Sequence, residues 1–205
     1  MAGLVTKKAF AEALKELMEH KTLDHITVKD ITDRCEMNRQ TFYYHFHDIY
    51  DLLDWIYRER FAKLAAPSEP ALEHWKEWYL DLLKFALQNR MLVTNTLNSL
   101  RSEILENQIY QESFHIVRRV IDEVAGKDRI SEENRSFLAH FYQYALGGVF
   151  LSWVKNGMQE RPEQILEQIS MTMDGTVLTA MERMRESGPW SAPAQSRQDG
   201  NGCGS

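Results

Sequence analysis

Apolar residues recur at intervals of three and four positions along most of this chain, which is the spacing of helices with one buried face. No stretch alternates apolar and polar residues over the length of a β-strand, so we predict an all-α fold. The pattern predicts helices over residues 4–20, 27–34, 39–47, 48–64, 71–89, 91–105, 109–125, 131–156 and 162–187.

The stretch from Thr27 to Asp48 has the sequence form of a helix-turn-helix. Thr27 is a suitable N-cap for a first helix, and Asp30 stands three residues later, where a carboxylate favours the first helical turn. After a turn of four residues, Asn38 is a suitable N-cap for a second helix. Two short capped helices joined by a tight turn predict a helix-turn-helix, a motif that commonly binds DNA.

The second helix of this motif divides into two faces. Phe42 and Phe46 fall together on one side, with the spacing of residues that pack into a core. The opposite side carries Arg39, Gln40, Tyr43, Tyr44 and His47. Arginine pairs with guanine, glutamine pairs with adenine and tyrosine reaches phosphate, so this face suits a major groove. Aromatic residues at helical spacing are more often core than contact, and we accept that alternative for the two phenylalanines.

These residues carry a resemblance to a known family. Residues 26–31 and 39–46 resemble the DNA-binding domain of the TetR family of bacterial transcription regulators. The resemblance implies an N-terminal three-helix DNA-binding head and an all-helical body that dimerises and usually binds an effector. It also implies that base edges are approached by Arg39, Gln40 and Tyr43. Phosphates or sugars would be approached by Thr27, Lys29, Thr41, Tyr44, His45 and His47, and Asn38 completes the predicted DNA-binding set.

Two positions depart from the family pattern. Glu36 stands in the turn where the family usually has glycine, and a non-glycine residue in a left-handed conformation costs about 1 kcal/mol. Ile49 stands where a lysine often contacts phosphate, which removes one expected charge contact. Residues 48–55 and parts of the body resemble the branch of the family that contains regulators of dihydroxyacetone kinase operons.

The proline pair Pro67 and Pro70 interrupts the helical pattern and marks a domain boundary. We therefore predict a helix-turn-helix DNA-binding domain over residues 1–66 and a helical domain for effector binding and dimerisation over residues 67–187. Residues 188–205 are polar and rich in glycine, serine and proline, so we predict a disordered tail.

The charge balance lacks the usual basic signature of a DNA-binding protein. The chain has a formal net charge of −6, and residues 1–66 carry ten lysines and arginines against eleven aspartates and glutamates. The motif must therefore carry the DNA-binding prediction, and we expect a modest dependence of binding on salt. Without a signal-peptide pattern or a membrane-spanning apolar run, the sequence predicts a cytoplasmic protein with no membrane partner.

Two C-terminal helices carry apolar stripes that we predict to form a dimer surface. The predicted dimerisation residues are Phe141, Tyr144, Ala145, Gly148 and Ser152 on the first helix and Ile169, Met173 and Val177 on the second. The mid-helix pair Gly147 and Gly148 costs about 1 kcal/mol per glycine relative to alanine, which close approach of another helix would offset. The alternative is that both stripes pack within one subunit, because any surface helix has one such stripe.

The sequence predicts a homodimeric transcription regulator that binds a palindromic double-stranded DNA operator. Its body would bind a small-molecule effector or a coregulator protein, at a pocket that the sequence does not define. We identify no catalytic motif, metal site or cofactor, since the chain has no glycine-rich phosphate loop and its seven histidines are scattered. Two alternatives remain open: a coactivator-like helical interaction module that has lost DNA binding, and a small all-helical enzyme.

Overall fold

The computed structural model describes residues 2–62, 70–126 and 130–187, and every regular element in these ranges is a helix. The head contains α1 (Ala2–Met18), a 3-10 turn (Leu23–His25), α2 (Val28–Arg34), α3 (Arg39–His45) and α4 (Ile49–Phe61). The body contains α5 (Ala71–Gln88), α6 (Arg90–Leu97), α7 (Glu103–Ala125), α8 (Glu132–Lys155), α9 (Pro162–Met173) and α10 (Thr176–Ser187). The predicted all-α fold is confirmed.

Side-chain caps start several helices where the sequence predicts them. Asp48 accepts a hydrogen bond from the backbone N–H of Asp51 at 2.8 Å and so begins α4. The Ser131 hydroxyl accepts one from the N–H of Asn134 at 3.2 Å and begins α8. These caps satisfy backbone donors that have no partner inside the helix.

The helix is interrupted between α6 and α7, whereas the sequence pattern predicts a continuous helix over residues 91–105. The Ser99 hydroxyl donates to the carbonyl of Thr96 at 2.7 Å, which offers the backbone an alternative to helical bonding. The N–H of Leu100 donates to the Asp24 carboxylate of the head at 3.3 Å. The apolar spacing continues across this break, and for that reason the predicted boundary was wrong.

A second break divides the predicted helix 162–187 into α9 and α10. Gly175 adopts a φ of +78°, a left-handed conformation that a helix cannot continue through. This break also decides where predicted dimerisation residues lie. Ile169 is buried at 7% exposure, and Met173 and Val177 are partly buried against the same core. Ile169 therefore packs inside the subunit, while Met173 and Val177 are only partly covered by it, because α9 contacts α5 and α10 contacts α7 and α9.

Part of the predicted domain boundary lies outside the described residues, as does the predicted tail over 188–205. Pro70 immediately precedes α5 and supplies no side-chain cap. Glu123 of α7 performs that task instead, because its carboxylate accepts the backbone N–H groups of Ala71 and Leu72 at 2.5 and 2.8 Å. The start of the body's first helix is therefore held by a helix that follows it by some fifty residues in the chain.

Head and body share one continuous hydrophobic core. Buried residues of α1, α3 and α4 belong to the same cluster as buried residues of α5 to α9. Within this junction, the hydroxyls of Tyr57 on α4 and Thr96 on α6 form a hydrogen bond of 2.8 Å, and both side chains are completely buried. The head is therefore packed directly against the body, and a movement of either part would change the packing of this shared core.

The adjacent glycines of α8 lie in different surroundings. A Cβ atom added to Gly147 would lie 2.6 Å from Cδ1 of Tyr110 on α7, so this glycine permits the close approach of α7 and α8. A Cβ atom added to Gly148 would meet no atom within 4 Å, and this position is on the outer side of α8. Of the close helix contact predicted from the glycine pair, the part at Gly147 is therefore a contact with α7 of the same subunit.

We expect Gly147→Ala to lower the free energy of unfolding by about 1–3 kcal/mol, because the added methyl group forces the Tyr110 ring to move. Gly3→Ala in α1 is the control: its added Cβ atom would make only an ordinary contact, 3.6 Å from Cε1 of His45. It should unfold at an equal or higher urea concentration, because alanine favours helix by up to about 1 kcal/mol. Urea titrations at equal protein concentrations measure both effects. Equal destabilisation by the two substitutions would contradict this account of Gly147.

Candidate nucleic-acid interface

A capping box sets the start of α2. The Thr27 hydroxyl accepts the N–H of Asp30 at 3.2 Å, and the Asp30 carboxylate accepts the N–H of Thr27 at 2.7 Å. The Lys21 ammonium donates to the same carboxylate at 2.8 Å. The bond from Lys21, with those from Thr27, lowers the pKa of Asp30 to about 2. The ionised carboxylate therefore ties the preceding loop to the helix-turn-helix at neutral pH.

The turn between α2 and α3 keeps the left-handed residue that the family pattern implies. Glu36 has a φ of +54°, so the glutamate occupies the conformation usually given to glycine. The Asn38 side-chain oxygen then accepts the N–H of Thr41 at 2.7 Å and the Thr41 hydroxyl at 2.9 Å. The cap orients the first turn of α3 despite the strain at Glu36.

The inner face of α3 packs against α1. Phe42 is completely buried and Phe46 is 3% exposed, and the Phe42 ring meets the Phe10 ring edge-on with centroids 5.2 Å apart. The Lys7 ammonium lies 5.3 Å from the centroid of Phe46. These contacts fix the rotation of α3 about its axis, so its opposite face points to solvent.

The outer face of α3 carries the side chains that the helical wheel placed there. Tyr43 and Tyr44 are 59% and 84% exposed, and Arg39 and Gln40 are also exposed. His47 is exposed too, but it lies beyond α3, because the helix ends at His45 and not at residue 47 as predicted. Large tyrosine rings left in solvent by a well-packed helix indicate a surface that contacts something else. Arginine, glutamine and tyrosine together supply the donors and acceptors that read base edges and phosphates.

Some of the predicted contact residues already have structural partners. The hydroxyl of Thr27 and the side-chain oxygen of Asn38 serve as helix caps, so their first role is to position α2 and α3. Lys29 is exposed and lies 3.8 Å from Asp33, an ion pair too exposed to hold the lysine firmly. His45 is half-buried with its ring centroid 4.9 Å from that of Tyr44.

The structure adds neighbours that sequence reasoning missed. A Cβ atom at Gly3 would lie 3.6 Å from Cε1 of His45, so the first turn of α1 lies beside the end of α3. The N–H of His47 donates to the Asp51 carboxylate at 2.9 Å, which fixes the chain where it leaves α3. Gly3 and His45 are distant in the chain, so no local sequence pattern signals their proximity.

Comparison with known families decides the assignment. The family profile described as "Bacterial regulatory proteins, tetR family" matches residues 11–56. A second profile, described as "Transcriptional regulator C-terminal region", matches residues 73–175, about half of the chain. The chain belongs to the TetR family. The family is one of bacterial regulatory proteins, and the alternative of an interaction module without DNA binding is not favoured.

A curated relative agrees with this TetR assignment. The HTH-type dhaKLM operon transcriptional activator DhaS of Lactococcus lactis subsp. lactis (strain IL1403) is 33% identical over 89 residues. That match covers 43% of this chain and 47% of the relative, so it spans about half the length of each protein.

Solved structures of TetR-like regulators share the fold. Dihydroxyacetone kinase operon activator DhaS superposes with a TM-score of 0.69 at 23% identity, covering 88% of this chain and 98% of that one. NalD, the secondary repressor of the MexAB-OprM multidrug efflux pump in Pseudomonas aeruginosa, gives a TM-score of 0.57 at 17% identity, covering 82% and 94%. These likenesses establish the arrangement of helices and not a common ligand.

Two kinds of site are absent from the described ranges 2–62, 70–126 and 130–187. No helix there is both long enough and apolar enough to cross a membrane. Nor do histidine, cysteine, aspartate and glutamate side chains in those ranges converge in a group that could hold a metal ion. The family and its relatives are transcription regulators, which places the chain among regulators by descent.

We expect Glu36→Gly to raise the free energy of unfolding by about 0.5–1 kcal/mol, because glycine adopts the left-handed conformation without steric cost but loses more chain entropy. Glu36→Ala removes the same charge and keeps the strained backbone, so it should stay within about 0.5 kcal/mol of the wild type. Urea denaturation followed by circular dichroism measures both. Equal stabilisation by alanine and glycine would assign the effect to charge and contradict the backbone explanation.

Proposed function

We propose that two copies of this chain bind a palindromic operator, each inserting α3 into one major groove. The observation that carries this proposal is the division of α3: Phe42 is buried completely while Arg39, Gln40 and Tyr43 stand in solvent on the other face. In this arrangement Arg39, Gln40 and Tyr43 read base edges, and Tyr44 contacts phosphate.

The remaining predicted residues support the contact from its margins. Lys29 and Thr41 lie on the exposed or half-exposed surface of the two motif helices and approach the phosphate backbone. Thr27 and Asn38 act mainly through the caps that orient these helices, and His45 and His47 lie at the end of α3. Because lysines and arginines do not outnumber aspartates and glutamates in the head, affinity depends on directed hydrogen bonds more than on counterion release.

An exposed apolar stripe along α8 supports a homodimer. Phe137, Phe141 and Tyr144 are 59%, 59% and 60% exposed, and they stand at intervals of four and three residues on one side of the helix. Burying three such aromatic rings in water-free contact supplies several kcal/mol, which is a large driving force for pairing. Small residues at Ala145, Gly148 and Ser152 continue the same surface and allow a second helix to approach closely. A twofold axis through this surface places the two heads for half-sites about 34–36 Å apart.

Control by an effector or a partner protein follows from the shared core of head and body. A molecule that binds the body changes operator affinity only if it prefers one separation of the two heads over another. The buried contact between Tyr57 and Thr96 links α4 of the head to α6 of the body, so a shift of α6 moves the head. The cytoplasm, where the operator is found, is the proposed location.

We expect Arg39→Ala to weaken binding to an operator selected in vitro from random duplex DNA by roughly 5- to 150-fold, since a bidentate contact to guanine contributes about 1–3 kcal/mol. The substitution should also relax the preference for one base pair in each half-site. Fluorescence anisotropy at two salt concentrations, with scrambled DNA beside the operator, measures affinity and specificity together.

Arg34→Ala is the matched control, because it removes the same charge from the head at a side chain that pairs with Glu16, 2.5 Å away. It should weaken operator and scrambled DNA about equally and leave their affinity ratio unchanged. Tyr43→Ala should likewise lose operator binding with folding unchanged. Full operator specificity in both Arg39→Ala and Tyr43→Ala would refute the assignment of this face.

We expect Phe141→Glu to convert the dimer to a monomer at micromolar concentration, because a carboxylate in an apolar interface is costly to desolvate. Leu100→Glu is the matched control: Leu100 is 84% exposed but lies between α6 and α7, away from the α8 stripe. Sedimentation equilibrium measures the mass of each variant. A Phe141→Glu protein that remains dimeric would place the subunit contact elsewhere.

A further inference from the structure

The loop between α6 and α7, residues 98–102, connects the body to the start of α4. The backbone N–H of Leu100 donates to the Asp24 carboxylate at 3.3 Å. The guanidinium of Arg101 lies over the Tyr50 ring of α4, 5.2 Å from its centroid. The Tyr50 hydroxyl in turn donates to Asp24 at 3.4 Å. A backbone N–H and one cation of the body therefore reach the first turn of α4.

The start of α4 is acidic. Residues 48–51 read Asp, Ile, Tyr and Asp, and the first lysine or arginine of this helix is Arg58, which pairs with a carboxylate of the same helix. The Nδ1 atom of His47 lies 3.5 Å from the Asp48 carboxylate, but imidazole offsets a negative charge only when it is protonated. The carboxylates of Asp24 and Asp48 therefore leave negative charge at this end of the helix.

These carboxylates lie beside the face of α3 that is proposed to read DNA. Asp24 and Asp48 border the same surface hollow as Tyr43 and His47. Tyr43 is exposed on the outer face of α3, so a duplex in contact with that face brings its phosphates close to the hollow. Double-stranded DNA carries about one negative charge for each 1.7 Å of its axis. Carboxylates at this margin therefore oppose operator binding, unless a cation offsets their charge.

Arg101 supplies such a cation. Its Nε atom donates to the Glu103 carboxylate at 2.5 Å, which keeps the guanidinium over the Tyr50 ring. This hydrogen bond, together with the charges of Glu103 and Asp48, raises the pKa of Arg101, so the side chain stays ionised. One cation of the body therefore lies in a group of carboxylates that includes Asp48 and Glu103, with Asp24 at the hydroxyl of the same Tyr50 ring.

We propose that Arg101 is a positioning residue for operator binding, which holds the first turn of α4 and offsets the carboxylates of Asp24 and Asp48 against the operator phosphates. The inference rests on the proposed function, because it requires α3 to lie in the major groove. It adds a residue of the body to the groups that set operator affinity. The ion pair of Arg101 with Glu103 is exposed to solvent, so it contributes little to folding and its effect on DNA binding can be measured separately.

Arg101→Ala should weaken binding of the full-length protein to an operator selected in vitro from random duplex DNA, by roughly 3- to 10-fold at ~50 mM salt. At ~0.3 M salt the loss should fall below about twofold, because salt screens interactions between exposed charges. Arg101→Lys keeps the charge and should stay within about twofold of the wild type at both salt concentrations. Fluorescence anisotropy measures these affinities. A loss in Arg101→Ala of equal size at both salt concentrations would indicate a structural role and overturn the proposal.

A second substitution tests the charge explanation. Asp48→Asn removes one carboxylate and keeps a good N-cap for α4, so adding it to Arg101→Ala should restore affinity to within about twofold of the wild type at ~50 mM salt. Arg118→Ala is the matched control, because it removes a guanidinium that pairs with Glu132, about 22 Å along α7 from Glu103. It should leave operator affinity unchanged. A double variant that binds no better than Arg101→Ala, or an equal loss in Arg118→Ala, would overturn the proposal.

Urea denaturation of the same variants separates folding from binding. The unfolding midpoint of Arg101→Ala should equal that of the wild type, since exposed ion pairs add little stability. Operator binding that is unchanged in a folded Arg101→Ala protein would overturn this inference and leave the regulator intact. A wild-type protein that selects no operator would instead overturn the proposed function, and the role of Arg101 with it.

Discussion

One side-chain amide holds the head to the body. Asn95 of α6 donates from Nδ2 to the carbonyls of Met18 and Lys21 at 3.2 and 2.9 Å, and its Oδ1 accepts the N–H of Leu23 at 2.8 Å. All three partners are backbone groups in the segment that joins α1 to the helix-turn-helix. The amide thus satisfies two backbone acceptors and one backbone donor of this segment, and leaving such groups unpaired in a packed junction costs about 1–3 kcal/mol each.

This junction gives regulation a direct physical route. Lys21, whose carbonyl is held by Asn95, also places its ammonium on Asp30, the carboxylate of the capping box that starts α2. Two hydrogen bonds therefore connect α6 to the helix-turn-helix, in parallel with the buried contact of Tyr57 and Thr96. The burial of Tyr57 raises the pKa of its phenol, so this link stays neutral and unaffected by pH in the cell. Solved structures named as an activator and as a repressor share the fold of this chain.

Much of the head could be predicted from the sequence because its determinants are local. Caps at Thr27, Asn38 and Asp48 act over three residues, and the two faces of α3 follow from helical periodicity alone. The body was predicted less well because its breaks depend on distant partners. Just after the end of α6, the N–H of Leu100 donates to the carboxylate of Asp24 in the head. Neither the spacing of apolar residues nor local helix propensity predicts that hydrogen bond. For the same reason the sequence could not predict that Glu123 of α7 holds the start of α5, because the two are some fifty residues apart.

The helix α8 has one face buried in the body and an opposite face that carries exposed aromatic residues. Its residues Leu138, Tyr142, Leu146 and Phe150 are buried against the rest of the body, yet Phe141 and Tyr144 on the other side are apolar and exposed. In an isolated subunit, α8 therefore leaves large aromatic side chains exposed to solvent on its outer face, as a helix with a further contact surface does. Gly147 brings it close to α7 from within, and Gly148 leaves room on the outer side. The buried face of α8 thus belongs to the core of the body, and the opposite face of the same helix carries the proposed subunit contact.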